Sequence, residues 1–447
     1  MFEWIEENDI VRDEDPWWIE GLELVRKLER SGYQAYLVGG SVRDRLMGRP
    51  LHDVDIATSA KPEEVMVLFE KTLPTGLQHG TVTVMEGGRA FEITTFRQET
   101  GYSDARRPDS VTFVHDVRDD LARRDFTFNA MAFGSDGTIV DPYGGQDALR
   151  AGVVQCVGNA TERFGEDALR MLRAIRFAAE FEFELLPDVW QAIIGNRAKL
   201  RQVAIERVSS EWDKMMAGRG PEQACHYLFK SGLLGNLKEE IPDAVVHAAE
   251  QYRLNSLSWE WDKWGGAFSA SADGLQSQLA NLPLLIDPDL RWTALLCGMG
   301  ISEEDGRLLC RALRLSGKRA ERIAGVVGMN EQIAAYDEEF PYEGWTYAVL
   351  DYGRAVALDW LVMTGAWDTV SADERSEWLA QLPVTSVSEL NVRGDELANE
   401  LGRRPGPWLA EMLLRLLEEV AFGEVPNEKL ALLEAARTDM ESEGYDG

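Results

Sequence analysis

The stretch Leu37–Thr58, LVGGSVRDRLMGRPLHDVDIAT, decides how this chain is read. Its first residues complete a predicted strand, Tyr33–Gly40, that ends on two glycines, and SVRDRLMG starts a helix directly behind them. A strand–Gly-Gly–helix element suits phosphate, because glycine lets the backbone come close and a helix N-terminus presents free N–H groups. Gly40 and Arg43, in the first turn, are the candidate phosphate contacts. The spacing is Gly-Gly-x-x-x-Asp, a poor fit to the G-x-G-x-x-G turn of dinucleotide-binding folds. The stretch closes on DVDIAT, which alternates polar and apolar residues as a half-buried strand does, so Asp53 and Asp55 leave the same face. Two carboxylates placed together repel unless a cation separates them, and hard oxygen ligands suit magnesium.

A third acid helps to hold two ions, and Glu92, in the predicted strand AFEITTF, can supply it. A phosphate cradle ahead of an Asp-x-Asp pair is the arrangement of nucleotidyl transfer. Two metals there activate a hydroxyl and stabilise departing pyrophosphate. The plain alternative for a bare Asp-x-Asp is a solvated strand, and the cradle is what argues against it.

Up to about Gly152 strands and helices alternate. Pro62 opens a predicted helix through Lys71, proline being favoured in a first turn. Thr81–Phe96 is two β-rich runs about a Gly-Gly turn, and AMAF and TIVD flank GSDG as another pair. After one short strand-like run, VVQCVG, helical periodicity dominates, with breaks near Gly218–Pro221, Pro283–Asp289 and Phe340–Trp345. The expected fold is an α/β head followed by an all-α remainder. GEDALRMLRAIRFAAE, Gly165–Glu180, reads as one helix with Leu169, Leu172, Ile175 and Ala179 as its apolar stripe.

The totals set bounds. With 447 residues, 45% of them hydrophobic, the chain suits two to four domains. The start, MFEWIEENDI, lacks the basic flank and apolar core of a signal peptide, and no apolar run approaches the ~20 residues that span a bilayer. A cytoplasmic protein without membrane contact is expected. Cys156, Cys225, Cys297 and Cys310 stand far apart and form neither a disulfide framework nor a zinc pattern. Asp and Glu number 77 against 46 Lys and Arg, a net charge of -31. That balance argues against holding a polyanion through the bulk field. A nucleic-acid role therefore calls for a focal, strongly salt-dependent contact.

Four more segments follow the opening stretch: RRDFTFNAMA (Arg123–Ala132), DPYGGQDAL (Asp141–Leu149), EDALRMLRAIRFA (Glu166–Ala178) and ERVSSEWDKM (Glu206–Met215). Together the five resemble, in order and spacing, the motifs of the bacterial tRNA nucleotidyltransferases that build the CCA end. That class is related to bacterial poly(A) polymerase, and the resemblance runs from about Leu22 to the NEK at Asn427–Lys429. It implies a polymerase-β-like head with a mixed sheet over 1–152, a helical neck with a base-selecting helix over 153–220, a helical body over 221–345 and a tRNA-binding tail over 346–447. It implies template-independent addition of C, C and A to tRNA from CTP and ATP, with Mg2+, by a homodimer.

Residue by residue, the resemblance makes Asp53 and Asp55 the metal ligands, helped by Glu92. Arg124 becomes a nucleotide contact, as guanidinium grips phosphate bidentately, and Asp125 a ribose reader. Arg173 and Arg176 join the nucleotide site, and Gly144–Gly145 a joint between head and neck. On a continuous helix Asp167 and Arg170 are i,i+3 neighbours, while Arg176 lies about half a turn from Asp167. An acceptor beside a donor matches the pairing edges of cytosine and adenine, which both offer an amine beside a ring-nitrogen acceptor. Guanine and uracil present the reverse order, leaving buried polar groups unpaired at ~1–3 kcal/mol each. The alternative is a solvated i,i+3 ion pair worth ~0.2–0.5 kcal/mol.

Arg97–Phe113 resembles the family's flexible loop, associated with adding the terminal A, which argues against an enzyme that adds C alone. Asn391–Lys429 resembles the tail that holds the tRNA elbow, with Arg393, Arg403, Arg404 and Trp408 as candidate contacts. Beyond the head, where only His226 and His247 occur, no His-Asp dipeptide marks the phosphohydrolase domain of some relatives. Three alternatives stay open: an A-adding enzyme beside a separate CC-adding partner, a poly(A) polymerase, and a catalytically inactive tRNA-binding protein.

Overall fold

Asp15 accepts a hydrogen bond from the Trp17 backbone and Pro16 fixes the first turn, so a helix starts at once, α1 (Pro16–Arg30). Its apolar side, Trp18, Leu22, Val25 and Leu28, is buried against a sheet. Gly21 lets it lie close: a Cβ there would stand 2.9 Å from Val54 Cγ1 and 3.2 Å from Leu37 Cδ2. The computed structural model describes residues 15–101, 110–255, 274–336 and 341–442. MFEWIEENDI and the middle of the expected loop, 102–109, lie outside the described residues.

The sheet uses β1 (Ala35–Val38), β2 (Asp55–Thr58), β3 (Thr72–Gly76), β4 (Thr81–Glu86) and β5 (Arg89–Thr95). A separate ribbon of β6 (Arg97–Thr100) and β7 (Ser110–Phe113) follows, then β8 (Ala132–Phe133) and β9 (Ile139–Val140) complete the sheet. The order is β3-β4-β5-β2-β1-β8-β9, with β2 and β5 parallel and the other neighbours antiparallel. The sheet is therefore mixed, as expected. The hairpin of β4 and β5 turns on Gly87 and Gly88, with φ of +55° and +82°, the two positive angles that a tight hairpin turn requires.

Two boundaries differ from expectation. The strand carrying the acids starts at Asp55, and Asp53 precedes it in irregular backbone. The helix opened by Pro62 ends at Leu68 rather than Lys71, because Phe69 turns extended and buries its ring beneath the Lys27 ammonium.

Register decides which side chains share a face. Leu37, Ile56, Phe91 and Ile93 face α1, whereas Val38, Asp55, Ala57, Glu92 and Thr94 point the opposite way. One end of that second face is sealed by Val117 and Leu121, packed on Val38, Ala57 and Phe96. The other end, with Asp55 and Glu92, stays open.

Among the described residues, the α-helices of the first compact unit, which extends to Glu239, are α1, α2 (Gly40–Leu46), α3 (Pro62–Leu68), α4 (Val117–Ala122), α5 (Gly145–Ala151), α6 (Ala160–Glu166), α7 (Leu169–Phe181), α8 (Pro187–Asn196), α9 (Ile205–Ala217) and α10 (Pro221–Ser231). Aromatic packing fastens α7 to the head: Phe126 and Phe128 meet Phe177 at 5.7 and 5.5 Å between centroids, and Phe128 also meets Phe181. VVQCVG contributes only a two-residue strand, β10 (Val153–Val154), parallel to β11 (Glu184–Leu185).

The second unit, from Glu240, is helical throughout its described elements. Its longest helix, Pro341–Gly365, is interrupted at Gly353, whose φ of +83° no helix contains. Trp345 and Trp360, on either side of that kink, pack at 5.4 Å. Among the described residues no helix is long and apolar enough to cross a membrane.

Candidate active site

The open end of the sheet face forms a cavity of about 430 Å³ within the first unit, a size that suits a small ligand. Register sets Asp55 of β2 beside Glu92 of β5, and both line it. Removal from water, opposed by Arg124 and reinforced by Asp53 and Glu92, pushes the Asp55 carboxyl up to about 6. Asp53 is exposed and outside the lining, yet near enough for its charge to act on Asp55.

These acids fit a divalent cation. Among the described residues no group of three or more His, Cys, Asp or Glu forms a ready-made cage. Magnesium takes one or two carboxylates and completes its shell with water and substrate phosphate. A bound cation would relieve the part of the Asp55 rise that Asp53 and Glu92 cause.

Opposite the acids the lining turns cationic. Arg97, Arg123, Arg124, Arg170, Arg173 and Arg207 face Asp55, Glu92, Asp125 and Asp167, six positive against four negative in a chain of net charge -31.

Arg124 crosses the Gly-Gly turn. At Gly39 φ is +75°, and a Cβ would stand 2.5 Å from Arg124 Nη1. Close approach therefore depends on Gly39, while Gly40 begins α2. Arg124 makes one hydrogen bond, Nη1 to the Asn129 carbonyl at 3.3 Å; its Nε is buried, so the donors it can offer a ligand are on its terminal nitrogens. Arg43 is placed differently. It is buried, outside the lining, donates to Asn129 Oδ1 at 2.6 Å and to Asp44, and stacks on Phe177 and Phe181. In this arrangement it ties α2 to Asn129 and α7 rather than facing the cavity.

The expected single helix over Gly165–Glu180 is two. α6 ends at Glu166, Asp167 is extended (φ -139°, ψ 105°), and α7 starts at Leu169. At the break Asp167 Oδ1 accepts from the Leu169 backbone at 3.0 Å, a local side-chain turn that competes with a continuous helix. Asp167 and Arg170 both line the cavity, but they are not paired with each other. Asp167 is held by Arg207 of α9, at 2.7 and 3.2 Å. Arg170 donates to Glu166 at 2.6 Å and to the carbonyls of Arg163 and Arg123.

Asp125 lines the cavity with both oxygens engaged. Oδ1 accepts from its neighbour Phe126 and from Asn129, and Oδ2 from Arg173 at 2.7–2.8 Å. Burial alone would raise this carboxyl, but Arg173, Asn129 and Arg170 outweigh it and hold it well below the usual range. Arg176 faces away from the lining, pairing with buried Glu211 at 2.6 Å and covering Phe177 at 4.1 Å.

Sequence reasoning missed Arg207, Gly39 and Glu211. Arg207 and Glu211 belong to ERVSSEWDKM, so the segment was flagged although no spacing rule told which side chains turn inward. In the second unit Arg393 and Arg404 are exposed, while Arg403 lies over the Trp408 ring at 5.1 Å.

Comparison with known proteins shows the family. The poly(A) polymerase head domain matches residues 35–155, a probable RNA- and SrmB-binding site of polymerase A matches 182–244, and a putative second domain of tRNA nucleotidyltransferases matches 287–436. A CCA-adding enzyme of Geobacillus thermodenitrificans is 37% identical over 425 residues, 94% of this chain and 97% of that enzyme. That of Geobacillus stearothermophilus is 38% identical over 415 residues, 92% and 94% of the two chains. A crystal structure of the Bacillus stearothermophilus CCA-adding enzyme in complex with CTP superposes with a TM-score of 0.76 at 34% identity, covering 97% of this chain and all of that one. With 37–38% identity to these enzymes over more than nine-tenths of its length, the chain belongs to the family of CCA-adding enzymes, the tRNA nucleotidyltransferases.

Proposed function

We propose that this enzyme adds C, C and A to the 3′ end of tRNA from CTP and ATP without a nucleic-acid template, releasing pyrophosphate. The observation that carries the reading is the cavity itself: carboxylates on two neighbouring strands face a cluster of arginines, with the Asp167 carboxylate in the same lining. Divalent metal is general to this family of transferases, and we assign magnesium to Asp53 and Asp55, with Glu92 beside them. When bound, the metal supplies Lewis-acid activation of the attacking 3′-hydroxyl and neutralises charge on the leaving pyrophosphate.

The chain's own residues orient the nucleotide. Arg124, drawn across Gly39, grips the triphosphate. Asp125, held ionised by Arg173, reads a ribose hydroxyl by exchanging one of the four donors it now accepts from. Asp167 accepts from the amine of C or A, and Arg170 donates to the ring nitrogen once it exchanges part of its contact with Glu166. Gly40, Arg43, Arg173 and Arg176 support the nucleotide site, Arg43 and Arg176 from behind it. The division into head, neck, body and tail follows the same reading, with Arg393, Arg403 and Arg404 as tRNA contacts in the tail. Free tRNA and nucleotide substrates place the work in the cytoplasm, and a homodimer is the proposed assembly.

The test offers purified enzyme three tRNAs, ending before CCA, after C and after CC, with CTP and ATP singly and together. Complete CCA ends on all three support the reading. Extension of the CC-ended tRNA alone makes it an A-adding enzyme, and binding without extension makes it an inactive scaffold.

A further inference from the structure

Beneath the arginines of the cavity lies a buried carboxylate. Asp120, on α4, is wholly buried and absent from the lining. Its Oδ1 accepts from Arg123 Nε at 3.0 Å, from Arg123 Nη2 at 2.9 Å and from the Arg97 backbone at 3.3 Å. Its Oδ2 stands 3.6 Å from Arg124 Nη2 and has no hydrogen-bond partner. One acid thus contacts three residues that line the cavity. Glu99, itself nearly buried, assists from the ribbon by accepting from Arg97 at 2.8 Å and Arg123 at 3.1 Å.

Burying a carboxylate is unfavourable unless it is paired. Here it pairs with long, rotamer-rich side chains that otherwise sample many directions. The geometry points to Asp120 as a positioning residue for polyphosphate: it aims Arg123 and Arg124 into the cavity before the nucleotide arrives. This rests on the reading of Arg124 as a phosphate ligand. Preorganised guanidinium groups bind an anion without first having to be ordered. The long contact to Arg124 matters, because an ion pair without a hydrogen bond fixes direction while sparing that arginine's donors.

Asp120→Asn is the informative change. The amide oxygen takes the place of Oδ1, which faces three donors, so the NH2 group confronts Arg124 Nη2, donor against donor. Charge alone predicts tighter anion binding, since a negative group is removed. Positioning predicts weaker binding, and the sign separates the two.

The experiment measures KM for CTP and ATP, inhibition by inorganic pyrophosphate, CTP-over-UTP selectivity and Tm in the full-length enzyme. The variants are Asp120→Asn, Arg124→Ala and the double variant. Asp120→Asn is expected to raise both KM values and weaken pyrophosphate inhibition by about tenfold, the loss of one charge-assisted contact, with base selectivity unchanged. In the Arg124→Ala background its effect should largely vanish, as for residues acting through one another. Unchanged or stronger pyrophosphate inhibition, additive effects, or a variant too unstable to assay would each overturn the role of Asp120. An unchanged KM in Arg124→Ala instead overturns the phosphate reading beneath it.

Discussion

Arg207 grips the Asp167 carboxylate with both terminal nitrogens, at 2.7 and 3.2 Å, although 40 residues separate the two in sequence. A bidentate fork fixes the plane of a carboxylate as a single contact does not. With the Leu169 backbone also on Oδ1, the acceptor capacity left on Asp167 points in a defined direction. Arg207→Ala should therefore lower the preference for CTP over UTP by about tenfold, one misplaced polar contact. Arg207→Lys should recover only part, because ammonium keeps the charge and loses the fork. Misincorporation from UTP on a tRNA lacking CCA measures it, and an unaltered preference in Arg207→Ala contradicts the relationship.

The pairing also marks where sequence stopped informing. Hairpins, the strand–Gly-Gly–helix element and the apolar stripe of α7 were legible, because each is local and repeats at the period of its own backbone. Gly87 and Gly88 demand a tight turn wherever they occur. The break at Asp167 was hidden because α7 restarts at Leu169 and continues the same apolar period. The direction of Arg43 was hidden too, since the rings of Phe177 and Phe181 that receive it come from a distant helix. Site composition could be read; which arginine faces the cavity is a tertiary result.

Asp55 gives a stability prediction with a definite sign. Its folded carboxyl titrates near 6, above the ordinary 3.8, so the fold favours the protonated form. Ionisation works against folding as pH rises from about 4 through 6, and fully above that. Metal-free Asp55→Asn should thus be more stable than the parent at pH 7.5, by no more than ~1 kcal/mol after solvent screening, and equal to it below pH ~4. Activity should fall at least ~10²-fold, as when a transition-state charge stabiliser is removed. Urea unfolding at both pH values, beside an extension assay, checks both halves. A less stable variant at pH 7.5 contradicts the first.

Glu211 should behave in the opposite way. Burial favours its neutral form, but Arg176 and then Arg173 outweigh it and hold the carboxyl below the usual range. Its contribution is present above the ordinary carboxylate range and is lost as pH falls through the lowered value. Glu211→Ala leaves two arginines beside an emptied site and should cost ~3–5 kcal/mol at neutral pH, with the gap narrowing in acid. Denaturant midpoints at pH 7 and pH 4 test it, and a constant difference speaks against the pairing as its cause.

Gly39→Ala tests the turn. A side chain there meets both a φ of +75° and Arg124 Nη1 at 2.5 Å. The backbone strain alone should cost ~1 kcal/mol or more, and a displaced Arg124 should raise KM for both nucleotides. Gly40→Ala is the control, because its Cβ would meet only the Arg43 side chain, at 3.5 Å or beyond. Equal effects from the two substitutions would remove Gly39 from its role.

The most direct test of protein-directed base choice is Asp167→Ala, given a tRNA that lacks CCA and all four nucleoside triphosphates, with product ends read by sequencing. The parent should write CCA alone. The variant should bind tRNA with unchanged affinity and incorporate U and G alongside C and A. Ends that remain strictly CCA in Asp167→Ala would contradict the assignment of base selection to this residue.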